Sequence, residues 1–150
     1  MKMLGYAIRL LLNKNTAKRW FDNEELAQFA SSYSAFLEAV ERQPSSQGSI
    51  FVDGVKSVMR LSCLLAGGIK VDGIIHLVRN PTDFVASCLR NYESSGPLSV
   101  VRHSIEYRAY HAKVHKLSKN LRTCRIDYEE MVSDLDENLR KIFLFIGVEP

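Results

Sequence analysis

Residues 74–91 read IIHLVRNPTDFVASCLRN. The run before Arg79 is almost entirely apolar, which is typical of a short strand that is covered on both faces in a parallel sheet. We therefore predict a strand over residues 73–78. Because Arg79 follows it directly, its side chain is expected at the carboxyl end of that strand.

The residues after Arg79 predict the start of a helix. Asn80 can accept a hydrogen bond as an N-cap, and Pro81 suits the first helical position. Asp83 completes an arrangement like a capping box, in which its side chain would accept the backbone N–H of the N-cap residue. The helix is expected to run to about Asn91.

The rest of the chain alternates between helical and extended patterns. Predicted helices cover residues 3–13, 23–42, 57–66, 100–119 and the segment from Asp134 to Gly147, and further predicted strands cover Ile50–Val52 and residues 123–128. Three rounds of strand followed by helix predict an α/β fold with a parallel sheet of at least three strands, flanked by helices.

Length and composition favour one globular domain. The chain has 150 residues, of which 46% are hydrophobic and 25% charged, so it can bury a core. The loop over residues 43–49, QPSSQGS, is the only plausible linker. We expect a helical part over residues 1–49 and an α/β part over residues 50–150 within a single domain.

The net charge and the cysteine content indicate which kind of binding partner and which cellular compartment to expect. The net charge of +3 mildly favours an anionic partner but is too small to indicate nucleic acid. Cys63, Cys88 and Cys124 are far apart and form no C-x-x-C pair, which is typical of reduced thiols in the cytoplasm. Arg9 interrupts the apolar N-terminal run, so neither a signal peptide nor a transmembrane segment is predicted.

Arg79 and Ser87 are candidates for binding an anion. In parallel sheets ligands bind beyond the carboxyl ends of the strands, near helix N-termini, and the guanidinium fork matches phosphate oxygens. Ser87 follows eight residues after Arg79, about two helical turns past Asn80. The alternative from spacing alone is that Arg79 pairs with Asp83 or with a carboxylate at the end of the sheet, and that Ser87 is only a small packing residue.

Three segments carry a resemblance to a known family. The stretch IIHLVRNPTDFVASCLRNY resembles the 3′-phosphate-binding motif of sulfotransferases, in which a strand leads to Arg-[Asp/Asn]-Pro and a Ser follows inside a helix. CRIDYEEMVSDLDENLRKIFLFIGVEP is similar to that family's Tyr-Glu-[Asp/Glu]-Leu segment and the helix after it, and FVDGVKS resembles its Val-Asp-x-x-Lys segment. The similarity covers residues 50–150.

The resemblance implies a fold, a donor and site residues. It implies a three-layer fold like that of P-loop NTPases and the donor 3′-phosphoadenosine 5′-phosphosulfate, with no metal. Arg79 and Ser87 would bind the 3′-phosphate, and Tyr128 would contact the nucleotide. Lys56 is a candidate for stabilising the leaving phosphate. The acceptor would be a hydroxyl or amine on a small molecule or carbohydrate, and the residues assign no catalytic base.

One part of the family pattern has no counterpart. Sulfotransferases bind the 5′-phosphosulfate with a strand, a Gly/Ser/Thr-rich turn carrying a basic residue, and a helix. No such stretch occurs in this sequence. We therefore expect the middle and C-terminal part of a sulfotransferase, which alone turns over slowly or not at all.

Two other functions stay open at this point. One is a non-catalytic remnant that binds a nucleotide or anion. The other is a module that binds nucleic acid or polysaccharide through the basic residues of the helix over residues 100–119, namely Arg102, His103, Arg108, His111, Lys113, Lys116 and Lys119. His111 and His115, four residues apart, can also bind a metal from one helix face, but no third ligand is apparent.

Overall fold

The computed structural model describes residues 17–18, 21–44, 49–54, 57–91 and 96–149. The described residues up to Val71 form one compact unit, and those from Asp72 onward form another. The helix predicted over residues 3–13 and the candidate Lys56 lie outside the described residues. The assignment of a single domain to residues 1–150 stays a prediction.

Two helices make up most of the first unit. Helix α1 spans Asn23–Glu41, and Asp22 caps it with a full capping box. The Asp22 side chain accepts the Glu25 N–H at 2.8 Å, and the Glu25 side chain accepts the Asp22 N–H at 2.9 Å. Helix α2 spans Val58–Ala66 and is capped by the hydroxyl of Ser57. Both helices confirm the sequence prediction.

The two helices pack through small and apolar side chains. Leu26 of α1 and Cys63 of α2 are buried together in the core of this unit. Gly67 ends α2 where a Cβ atom would lie only 2.9 Å from the Cβ atom of Ala30 on α1. The missing side chain therefore permits the close approach of the two helices.

The strand predicted over Ile50–Val52 is wrong, because these residues take no regular structure. Their side chains are half exposed, at 47% for Ile50 and 60% for Val52, and no described strand pairs with them. Phe51 instead packs edge-on against Phe36 of α1, with ring centres 5.7 Å apart. A β-branched run needs a neighbouring strand to form a ladder, and here its contacts come from a helix.

The second unit carries the sheet. Its elements in chain order are β1 Ile74–Val78, α3 Pro81–Asn91, α4 Pro97–Leu117, β2 Thr123–Asp127, α5 Tyr128–Ser133 and α6 Leu135–Ile146. The two strands are parallel, and Val78 pairs with Asp127. An α/β arrangement with a small parallel sheet and flanking helices is thus confirmed, but the described residues contain two strands and not three.

The C-terminal helix α6 is capped at both ends. The Asp134 carboxylate accepts the Glu137 N–H at 3.1 Å, and Gly147 ends α6 in the left-handed conformation with φ of 81°. Asn138 is buried, and its amide nitrogen donates to the backbone carbonyls of Glu130 and Asp134. This residue therefore ties α6 to the short helix α5, which the sequence pattern did not predict.

Candidate functional site

The parallel register brings Arg79 and Tyr128 together. Val78 and Asp127 are paired at the ends of the two strands. The residues that follow them, Arg79 and Tyr128, therefore leave the sheet at the same edge. The guanidinium carbon of Arg79 lies over the ring of Tyr128, 5.2 Å from the ring centre. This distance is within the range of a cation–π interaction.

The Arg79 guanidinium retains unused hydrogen-bonding capacity. Its Nε atom is buried and has no hydrogen-bond partner, and over the described ranges Arg79 forms no ion pair. The described residues therefore show neither of the pairings that spacing left open, with Asp83 or with a carboxylate at the end of the sheet. Buried donors are rarely left without a partner, so the Nε atom of Arg79 is an exception among the buried polar atoms of the described residues.

Asn80 caps the N-terminus of α3, but the acceptor of its backbone N–H differs from the predicted one. Its side-chain oxygen accepts the Thr82 N–H at 2.9 Å, so Asn80 caps as predicted. Its own N–H donates to the Glu129 carboxylate at 3.0 Å. The predicted capping box with Asp83 is wrong, because the carboxylate of Glu129, in the helix directly after β2, accepts that N–H.

The Arg79 carbonyl is bound from α4. The Tyr107 hydroxyl donates to it at 2.7 Å. The Tyr107 ring packs between Phe84 and His111, with ring centres 5.3 and 4.2 Å away. Burial is the main cause that raises the pKa of Tyr107 above its ordinary value, which keeps the phenol protonated as a donor.

Ser87 lies on α3 and is half-buried. Its hydroxyl oxygen accepts a hydrogen bond of 3.4 Å from the side chain of Asn91, one turn further along the helix. In the part of the chain that the structure describes, no hydrogen bond joins Ser87 to Arg79. A shared ligand between these two side chains is therefore a proposal and not an observed contact.

Cys88, the residue after Ser87 on α3, is partly buried. Burial raises the pKa of Cys88, the Glu106 carboxylate raises it further, and the positive charges of Arg102 and Arg79 oppose the shift. Cys63, Cys88 and Cys124 are all free thiols, as predicted.

A pair of histidines, His76 of β1 and His111 of α4, lies next to Tyr107. His76 Nε2 and His111 Nδ1 are 2.9 Å apart, so one ring donates to the other. Burial, then the charge of His76 and then that of Arg125, lowers the pKa of His111 to about 4. The sequence indicated His111 with His115; His76 was missed, because only the fold brings a strand residue to this helix face.

The basic residues of α4 do not form one exposed surface. His103 and Lys113 are buried, each with 2% of its surface exposed. Burial lowers the pKa of Lys113, and the neighbouring Lys116 adds to the shift. Arg102 lies 3.7 Å from Glu106, whose other oxygen contacts His103 at 2.9 Å. The structure therefore disfavours a nucleic-acid or polysaccharide surface along this helix.

The described residues contain neither a metal-binding cluster nor a membrane-spanning helix. No group of three or more His, Cys, Asp or Glu side chains in these ranges is arranged to hold a metal ion. None of the helices described is both long enough and apolar enough to cross a membrane.

Comparison with known proteins identifies the family. The model of the family described as "Sulfotransferase family" matches residues 9–149. The chain therefore belongs to the sulfotransferase family, whose members generally use 3′-phosphoadenosine 5′-phosphosulfate as donor. No curated protein and no solved structure matches the chain.

Proposed function

We propose that this chain binds the 3′-phosphate of 3′-phosphoadenosine 5′-phosphosulfate through Arg79 and Ser87, with Tyr128 beside the nucleotide. The observation that carries the proposal is the Arg79 guanidinium. It lies at the carboxyl edge of a parallel sheet, pairs with no described carboxylate, and has a buried Nε without an acceptor. A phosphate supplies several acceptor oxygens in the geometry that the guanidinium fork matches.

Local electrostatics support this assignment. The site lies at the N-terminus of α3, which spans eleven residues and carries a partial positive charge there. The ring of Tyr128 limits the positions that the Arg79 side chain can take, which lowers the entropy lost when an anion binds. Ser87, on the same helix, would add one hydroxyl donor to the same phosphate.

The reaction proposed for the complete site is sulfuryl transfer. The acceptor hydroxyl or amine forms a bond to sulfur, the bond from sulfur to the bridging phosphate oxygen breaks, and the acceptor proton passes to a base. 3′-Phosphoadenosine 5′-phosphate leaves with the electron pair of the broken bond. Lys56, outside the described residues, would stabilise the charge that develops on the bridging oxygen. The acceptor would be a small molecule or carbohydrate.

Within this scheme the described residues supply the 3′-phosphate part of the donor site. The two strands would belong to a three-layer sheet of the P-loop-NTPase type, in which a Gly-rich loop binds the 5′-phosphosulfate. Because no such loop occurs in the sequence, we expect sulfate transfer by the 150-residue chain alone to be slow or absent. A turnover of about 1 per second or more would contradict this expectation.

Calorimetric titration tests the binding step. The purified chain is titrated with 3′-phosphoadenosine 5′-phosphate and, in parallel, with ADP, which lacks the 3′-phosphate. We expect the first to bind more tightly, and Arg79→Ala to weaken it by about 10-fold or more, since a charged hydrogen-bonded contact is lost. Arg90→Ala is the control, because Arg90 is an exposed arginine on α3, the helix that follows Arg79.

Two results would overturn the proposal. Equal binding of the two nucleotides would show that no 3′-phosphate site exists. Equal weakening by Arg79→Ala and Arg90→Ala would show that binding depends on general positive charge. Selective binding without any sulfate transfer would instead support the non-catalytic nucleotide-binding remnant.

A further inference from the structure

Two side chains from different helices hold the backbone at Arg79 and Asn80. Tyr107 of α4 donates its hydroxyl to the Arg79 carbonyl at 2.7 Å. Glu129 of α5 accepts the Asn80 N–H at 3.0 Å. The two bonds act on the adjoining residues between β1 and α3, where the candidate phosphate ligand begins its side chain.

We propose that Tyr107 and Glu129 are positioning residues that fix Arg79 for the 3′-phosphate. This inference rests on the proposed function of Arg79. Neither side chain belongs to the segment that carries the phosphate motif, and each acts only through main-chain atoms of residues 79 and 80.

Glu129 supplies an acceptor for the Asn80 N–H, which the local cap does not pair. The side chain of Asn80 is already engaged with the Thr82 N–H, so it cannot satisfy its own backbone donor. The carboxylate of Glu129 supplies that acceptor and also lies favourably at the N-terminus of α3. Because Glu129 follows Tyr128, the pair Tyr128–Glu129 contacts Arg79–Asn80 twice, once through the ring and once through the carboxylate.

Tyr107 holds the same connection through a side chain that is itself restrained. Its ring contacts Phe84 on α3 and His111 on α4. These contacts limit rotation of the ring, so the hydroxyl keeps a defined position against the Arg79 carbonyl. A binding group gains most when the groups behind it are fixed in this way, because small displacements weaken directional hydrogen bonds.

Matched substitutions test the two roles. Tyr107→Phe removes only the hydroxyl, and Glu129→Ala removes the acceptor, while Glu129→Gln keeps an acceptor oxygen without the charge. We expect the first two to weaken binding of 3′-phosphoadenosine 5′-phosphate by about 3- to 10-fold, the effect of losing one hydrogen bond. Glu129→Gln should restore binding to within about 3-fold of the original chain.

The controls are neighbours of the same type. Tyr110→Phe removes a hydroxyl from α4 without affecting the Arg79 carbonyl, and Glu130→Ala removes the carboxylate next to Glu129. Neither should change the affinity. If Tyr107→Phe and Glu129→Ala bind as the original chain does, or if Glu129→Gln is as weak as Glu129→Ala, the positioning role is overturned.

Amide hydrogen exchange at Asn80, followed by NMR, separates this inference from the proposed function. Exchange at this N–H should be faster in Glu129→Ala and unchanged in Glu129→Gln and Glu130→Ala, with or without nucleotide. If the original chain binds no nucleotide but this pattern appears, the proposed function fails while the anchoring of Asn80 by Glu129 stands. Exchange that Glu129→Ala leaves unchanged overturns the anchoring, whatever the titration shows.

Discussion

Arg79 and Tyr128 are 49 positions apart in the chain, yet the guanidinium carbon of one lies 5.2 Å from the ring centre of the other. The parallel pairing of Val78 with Asp127 produces this contact, because both strands end at the same edge of the sheet. Two of the three segments that resemble sulfotransferase motifs therefore meet in one place. This meeting supports a shared role for them in binding the donor.

Substitution of Tyr128 separates the effect of its ring from that of its hydroxyl. Tyr128→Phe keeps an aromatic face beneath Arg79, whereas Tyr128→Leu removes it. A partly exposed cation–π contact contributes about 0.5–1 kcal/mol, so Tyr128→Leu should bind 3′-phosphoadenosine 5′-phosphate about 2- to 5-fold more weakly. Titration calorimetry measures the difference. If the Phe and Leu variants bind equally, ring stacking does not restrain Arg79.

Removal of the Ser87 hydroxyl should affect binding more than stability. Its hydrogen bond with Asn91 is long, at 3.4 Å, and exposed, so Ser87→Ala should change the free energy of unfolding by less than about 0.5 kcal/mol. Loss of one donor to the phosphate should weaken nucleotide binding about 3- to 10-fold. Asn91→Ala, which disturbs only the intrahelical bond, is the control. Equal binding by the two variants would remove Ser87 from the proposed site.

The histidine pair predicts a loss of stability in acid. The pKa of His111 in the folded chain is about 4, and burial also lowers that of His76, whereas an unfolded histidine titrates near 6.5. Between about pH 6.5 and 4 the unfolded chain therefore binds more protons, so the stability present above pH 6.5 is lost as the pH falls through this window.

Urea unfolding at several pH values measures this effect. The midpoint should fall between about pH 7 and pH 5, and His111→Phe, which keeps a ring against Tyr107, should flatten the dependence. His115→Gln is the control, because His115 lies on the same helix and is exposed. An unchanged pH dependence in His111→Phe would show that other groups determine the acid sensitivity.

In the first unit, we expect the hydrogen bonds of the Asp53 carboxylate to contribute to the free energy of unfolding. Its carboxylate accepts the Tyr33 hydroxyl at 3.0 Å and the Arg60 Nε at 2.8 Å, joining two helices to the segment after Val52. Asp53→Ala leaves two partly buried donors without this acceptor, at a cost of about 1–3 kcal/mol in the free energy of unfolding.

An exposed ion pair in the same unit provides the comparison. Glu38 and Arg42 are 3.1 Å apart on α1, but their side chains are 62% and 79% exposed. Glu38→Ala should therefore cost no more than about 0.5 kcal/mol in chemical denaturation. If Glu38→Ala and Asp53→Ala cost the same, the network around Asp53 adds nothing beyond a surface pair.

Local signals explain which elements the sequence predicted well. The Asp22 cap, the Ser57 cap and Gly147 act within one turn of their own helix, so they can be identified from neighbouring residues alone. The strand before Arg79 was recognisable from its uninterrupted apolar run, but the expected burial on both faces is wrong, because Ile75 and Leu77 are 37% and 45% exposed. The run at Ile50–Val52 looked similar, but whether such a run forms a strand depends on a partner that local sequence does not specify.

By itself, the sequence determined the order of the helices and strands after residue 73 except for α5, the location of Arg79 at a strand end, and the motifs that mark the family. The tertiary structure alone decided that Tyr128 stacks on Arg79 and that His76 pairs with His111. It also decided that Glu129, and not the predicted Asp83, accepts the N–H of Asn80. Caps and periodicity depend on energies within a few residues. Contacts between segments depend on strand register and helix packing, which bring together residues that no local pattern relates.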